Sequence, residues 1–206
     1  SCFGANDGEI ILIGSGGSGT LEYSINNGST WQTAFTFSNL PAGEYHAIVK
    51  DASGCKDGIK ITLEQPEDIS FSLSTTPVSC NNGNDGTITV EDAIGGTGTF
   101  SYGFNGNNYQ SGNVFNGLAA GIYSVYIKDV AGCVKTAPVT VTEPIAVAAS
   151  VQPVAADCYG AFDGSLSITA SGGTGAYQYS LNGADFQSDN SFTDLDPPRS
   201  GTEGSR

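Results

Sequence analysis

Along much of this chain, apolar and polar side chains alternate one by one. Tyr45, Ala47 and Val49 are interleaved with Glu44, His46 and Ile48, and Tyr123, Val125 and Ile127 keep the same rhythm. A period of two is that of a strand with one buried face. Further β-rich runs lie at 9–13, 87–90 and 165–169, at 59–63 and 139–142, and at 69–73 and 146–151. No window of helical length carries apolar residues at the helical spacing. Turn signals recur about every 8 to 12 residues, which predicts an antiparallel β-sandwich. Leu40-Pro41-Ala42-Gly43-Glu44-Tyr45 and Leu118-Ala119-Ala120-Gly121-Ile122-Tyr123 read as tyrosine corners, with the ring in the core and the hydroxyl bonded back to the chain.

The pattern is repeated. Cys2, Cys80 and Cys158 stand 78 residues apart, and Cys55 and Cys133 repeat that interval. Asn6-Asp7-Gly8 recurs as Asn84-Asp85-Gly86, with Asp163-Gly164 in a third copy. Gly16-Gly17-Ser18-Gly19 recurs as Gly95-Gly96-Thr97-Gly98 and Gly172-Gly173-Thr174-Gly175. Trp31-Gln32, Tyr109-Gln110 and Phe186-Gln187 each close the hairpin that follows. Lys50-Asp51-Ala52-Ser53-Gly54-Cys55 matches Lys128-Asp129-Val130-Ala131-Gly132-Cys133.

A fixed period means one structural unit set end to end. The expectation is tandem immunoglobulin-like sandwich modules of about 78 residues, cut from a longer array. Boundaries at Pro66 and Pro144 give a first module at 1–66 that lacks its opening strand and a complete one at 67–144. A third, at 145–206, stops before its last strands, and residues 197–206 leave the repeat pattern.

Charge narrows the function. The net charge is −14, with seven lysines and arginines against twenty-one acidic residues. No basic face can be built for nucleic acid, and the same sign repels anionic membrane surfaces. No stretch of about 18 apolar residues is present to span a bilayer. Methionine is absent, and Gly, Ser, Thr and Asn dominate, as suits a secreted surface protein.

Five cysteines at repeated positions predict disulfides and an oxidising compartment. Two pairings stand open. Within a copy, Cys2–Cys55 and Cys80–Cys133 would leave Cys158 needing a partner near position 211. Between copies, head-to-tail stacking would bring Cys2 to Cys133, because the first and last loops of a seven-strand sandwich lie at opposite ends.

Asp7, Asp85 and Asp163, with Asp51, Asp129, Glu64 and Glu143, supply carboxylates near the expected junctions and would suit Ca²⁺. The competing reading of Asn-Asp-Gly is a plain turn. Trp31, Tyr109 and Phe186 form a candidate platform for stacking on sugars; the competing reading is an aromatic pinning a hairpin to its sheet. Gly14-x-Gly16-x-x-Gly19 matches a dinucleotide fingerprint in letters only, since no helix follows it and the other copies keep only the turn. His46 is the sole histidine, and Ser124 takes its place in the second copy, so nothing supports a Ser-His-Asp site.

Taken in order, the Cys…Asp-Gly loop, the Gly-Gly-Thr-Gly turn, Tyr-x-Tyr-Ser, Leu-x-Ala-Gly-x-Tyr and Lys-Asp-x-x-Gly-Cys resemble the SprB repeat of very large Bacteroidetes surface proteins. The resemblance covers the first two copies and the third up to Leu195. It implies an extracellular adhesin or filament at the bacterial cell surface, exported by the type IX pathway and carried along the surface in gliding cells, with no catalytic residue. Three roles follow: a stalk or spacer, an array of polysaccharide-binding modules, or a non-catalytic appendage of a secreted hydrolase. The partners expected are neighbouring modules of the same or adjacent chains and surface polysaccharide.

Overall fold

The alternating runs form strands throughout. The computed structural model describes residues 1–104, 106–158, 162–183 and 185–195; residues 197–206, where the sequence leaves its repeat, lie outside the described residues. In the first copy, β1 (Gly8–Ile11) pairs with β3 (Thr36–Leu40), and β2 (Glu22–Ser24), β4 (Gly43–Lys50) and β5 (Lys56–Leu63) form a second sheet in the order β2-β4-β5.

The second copy has seven strands: β6 (Ser70–Thr76), β7 (Gly86–Ile94), β8 (Ser101–Phe104), β9 (Asn107–Gln110), β10 (Val114–Leu118), β11 (Gly121–Lys128) and β12 (Val134–Val141). They make two sheets, β10-β7-β6 and β12-β11-β8-β9. The third copy contributes β13 (Ala148–Val154), β14 (Gly164–Ser171) and β15 (Ser191–Leu195), in the order β13-β14-β15. This is an all-β, immunoglobulin-like β-sandwich architecture. The described residues contain no helix.

Register follows from burial. In β4–β5, Tyr45 faces Ile61 and Ala47 faces Ile59 across the ladder. A shift of one residue would turn Ala47, which is buried, to solvent. In the second copy Ile88, Val90, Val125, Ile127 and Val141 are buried, one inward row from each of β7, β11 and β12. The tyrosine corner forms in the first copy: Tyr45 Oη donates to the Pro41 carbonyl at 2.7 Å.

By its contacts the chain divides into two compact units. One holds Ser1–Ser74, Thr89–Val114 and Tyr123–Val139; the other holds Thr75–Ile88, Phe115–Ile122 and Thr140–Arg206. The first contains the meeting of copies one and two, and the second that of copies two and three.

Candidate functional site

The recurring polar features gather at two places: the Cys…Asp-Gly loop of all three copies and the Lys-Asp-x-x-Gly-Cys loop of the first two.

The last loop is built around one carboxylate. Asp129 is 3% exposed. Its Oδ1 accepts the Cys133 N–H at 2.8 Å and its Oδ2 accepts the Thr97 N–H at 2.7 Å. The Val130 N–H returns to the Thr97 carbonyl at 3.3 Å. Asp51 does the same in the first copy, accepting from Ser18 N at 3.0 Å, from Cys55 N at 2.9 Å and from Ser53 N at 2.9 Å. The Ser18 N–H holds the Asp51 carboxyl below its ordinary value; desolvation opposes this and the Cys55 and Ser53 amides reinforce it.

The glycine turn is the other half of this latch. Gly17 and Gly96 both have positive φ, and a Cβ on either would lie about 3 Å from the carboxylate it faces: 2.9 Å from the Asp51 Cβ and 3.0 Å from an Asp129 oxygen. The Gly-Gly-x-Gly turn and the Lys-Asp-x-x-Gly-Cys loop are therefore one folded end.

The first loop closes on its own aspartate. Asp85 Oδ1 accepts the Ser79 N–H at 2.9 Å, and Asp163 Oδ1 accepts the Asp157 N–H at 3.2 Å. Asp7 accepts from the Ser1 ammonium at 2.9 Å. Hydrogen bonds from Ser79 and Ser1 hold Asp85 and Asp7 below the usual carboxylate value. The loop is tied to the end of its own copy: Asn82 N donates to Glu143 Oε2 at 2.7 Å, and Gly4 N donates to Gln65 Oε1 at 2.7 Å.

These contacts revise the expected cation set. The counterpart of Glu143 is Gln65, 78 residues earlier, and not Glu64, which is exposed. An amide and a carboxylate serve equally there, so the position requires an acceptor rather than a charge. The structure does not bring Asp7, Asp51, Asp85, Asp129, Asp163, Glu64 and Glu143 together. Among the described residues no three acidic, cysteine or histidine side chains form a metal-holding group.

The cysteines pair between copies. Cys2 is bonded to Cys133, with 5.6 Å between their Cα atoms, and Cys55, Cys80 and Cys158 are free and exposed. The alternative within a copy, Cys2–Cys55, does not form, and the reason lies in β5. Cys55 precedes this strand, whereas the Cys2 loop is bonded to Gln65, which follows it. Eight strand residues span about 25 Å, far beyond the reach of a disulfide. A cleft of about 300 Å³ lies beside the bridge, lined in part by Cys2, Phe3, Ile69, Gly96 and Cys133.

Two of the recurring aromatics are covered on one ring face. Trp31 and Tyr109 are half-buried, and each has a lysine over a ring face: Lys50 Nζ at 4.3 Å from the Trp31 centroid and Lys128 Nζ at 4.1 Å from that of Tyr109. Phe186 is 67% exposed.

The glutamine beside each aromatic does work that the sequence did not make obvious. Gln32 Nε2 donates to the Ala34 and Thr36 carbonyls, Gln110 to Gly112 and Val114, and Gln187 to Asp189 and Ser191, all within 2.8–3.0 Å. The signal was its recurrence in all three copies directly after the aromatic.

A family model described as the SprB repeat matches residues 1–30, 72–108 and 150–186. No curated protein matches. Among solved structures, the chain is similar to an amphioxus IgVJ-C2 molecule, at 16% identity and a TM-score of 0.29, over 68% of this chain and 98% of that one.

Proposed function

Because this chain belongs to the SprB-repeat family, we propose that it is a non-catalytic stalk or spacer segment of a large secreted adhesin or extracellular filament. The family supports a cell-surface, adhesin-type repeat. The observation that carries the finer reading is the Cys2–Cys133 bridge. A covalent tie between successive copies serves no binding pocket within one copy. It serves a chain that must keep its copies together under load. The other recurring residues act in the same sense, each closing a loop or an end of the module. Export by the type IX pathway and transport in gliding cells belong to this proposal through the family alone.

Pulling the chain from its two ends tests the reading. With the bridge intact, the residues between Cys2 and Cys133, a separation of 131, are withheld from extension. Reduction then lengthens the fully unfolded chain by about 45 nm, from roughly 3.5 Å per residue. Equal lengths with and without reductant would refute a mechanical role for the bridge.

A further inference from the structure

One face of the first copy differs from its counterpart in the second. Across the β4–β5 ladder His46 faces Lys60, Ile48 faces Gly58 and Lys50 faces Lys56. Paired residues of an antiparallel ladder share a face. Alternation puts this row opposite the buried Ala47, on the outside of the sheet. The row gathers three of the seven lysines and arginines of the chain and its single histidine. His46, Lys56 and Lys60 are exposed. Trp31 lies on the same side, with Lys50 Nζ at 4.3 Å and Lys56 Nζ at 5.4 Å from its ring centroid.

The module itself does not need this row. In the second copy Lys50 is kept as Lys128, but His46, Lys56 and Lys60 are replaced by Ser124, Val134 and Pro138, and the corresponding strands form all the same. Internal partners explain only part of the charge. Lys50 meets Glu22 at 2.8 Å and Lys60 meets Glu44 at 4.0 Å, whereas Lys56 makes no ion pair among the described residues. On a chain of net charge −14, an exposed cationic row that the repeat does not require is a local exception.

We infer that this face of the first copy binds an anionic polysaccharide, with the acid groups on Lys56, Lys60 and His46 and one sugar ring against Trp31. Shape favours an extended polymer over a protein. Along β4 the row from His46 to Lys50 is about 13 Å long, and its two strands make it about 5 Å wide. A stable protein interface needs about 800 Å² on each partner, whereas one extended glycan strand covers the row. Trp31 supplies the apolar surface that a sugar ring needs, and the lysines supply flexible point charges for its acid groups. Glu22 and Glu44 stand on the same face. Three lysines offset by two glutamates are too few for the continuous phosphates of nucleic acid, and they suit the more widely spaced acid groups of a polysaccharide.

Trp31 is the one tryptophan of the chain and reports on the site directly. The test titrates the full chain with polygalacturonate and follows Trp31 emission. Dextran serves as the neutral polymer and poly-glutamate as an anion without sugar rings. The expected result is a saturable shift with polygalacturonate alone, weakened by added salt, which screens exposed charges. Lys56→Gln lowers the apparent affinity about fivefold, the size of one exposed ion contact, and Lys135→Gln, in the second copy, leaves it unchanged. Lys56 is exposed and makes no ion pair, so its variant keeps the fold, which circular dichroism checks. No shift with polygalacturonate, an equal shift with dextran or poly-glutamate, or an unchanged affinity in Lys56→Gln would overturn the inference. The stalk reading stands in either case, because it rests on the bridge between copies and not on this face.

Discussion

The first and second copies carry the same pattern and bury it differently. Ile88, Val125 and Phe115 of the second copy are matched 78 residues earlier by Ile10, Ala47 and Phe37. Val141 and Ile127 are buried, yet their counterparts Leu63 and Val49 are only half-buried. The difference traces to one strand. In the second copy β6 lies beside β7 and brings in Ile69, which is buried. In the first copy β1 pairs only with β3, and an open cleft of about 500 Å³ is left, lined in part by Ile11, Ile13, Tyr23, Ala47 and Ile59. Inward-facing sequence is therefore not enough for a core; the neighbouring strand decides whether it is covered.

The disulfide offers the largest test of that difference, because it ties the open copy to the closed one. In the chain-entropy account, a separation of 131 residues corresponds to about 5 kcal/mol. Replacing both Cys2 and Cys133 by serine is expected to lower the unfolding free energy of the first copy by that order, read from denaturant curves followed by Trp31 fluorescence. Cys80→Ser, which breaks no bridge, leaves the single chain unchanged. A first copy equally stable without the bridge would mean that its own strands suffice.

A core substitution at matched positions comes next. Ile88 is fully buried, whereas its counterpart in the third copy, Leu166, is half-buried. Ile88→Ala is expected to cost about 3 kcal/mol, and Leu166→Ala roughly 1 kcal/mol, since a partly solvated site leaves less of a cavity. Thermal unfolding of the two variants compares them directly. Equal losses would show that the third copy closes its core in solution.

The same contrast explains what could be read from the sequence. Strand runs, the glycine turns and the tyrosine corner are local: each depends on residues within a few positions, so alternation and composition expose them. Tyr45 reaches Pro41, four residues away, and the motif states this outright. The functional features are not local. Asp51 and Ser18 are 33 residues apart, and Cys2 and Cys133 are 131 apart. Recurrence marked Asp51, Asp129 and the cysteines as important, but their partners depend on which ends meet. For this reason the aspartates could be read as cation ligands and the cysteines as bridges within one copy. Glu64 and Glu143 differ for the same reason: the repeat interval and the matching bonds make Gln65, not Glu64, the counterpart of Glu143.

A further test lies in the latch, where the two copies should behave alike. Asp129→Ala leaves the Thr97 and Cys133 N–H groups without their acceptor, and a buried loss of this kind costs about 2 kcal/mol. Acid provides the milder probe in the first copy. The Asp51 carboxyl is held below its reference value of 3.8 by the amides it accepts. A carboxylate with a depressed folded value contributes stability that is present above the unfolded value and is lost as pH falls through the folded one. Amide exchange at Ser18 and Cys55 should therefore stay protected from neutral pH down to the ordinary carboxylate range and open only below it. Asp51→Asn, which cannot ionise, should abolish this acid step. Opening well above the carboxylate range would show that another group holds the turn to the loop. If the latch holds to low pH in the open first copy, the end that presents Cys55 is held by the turn-to-loop bonds of Asp51 and does not need a closed core beside it.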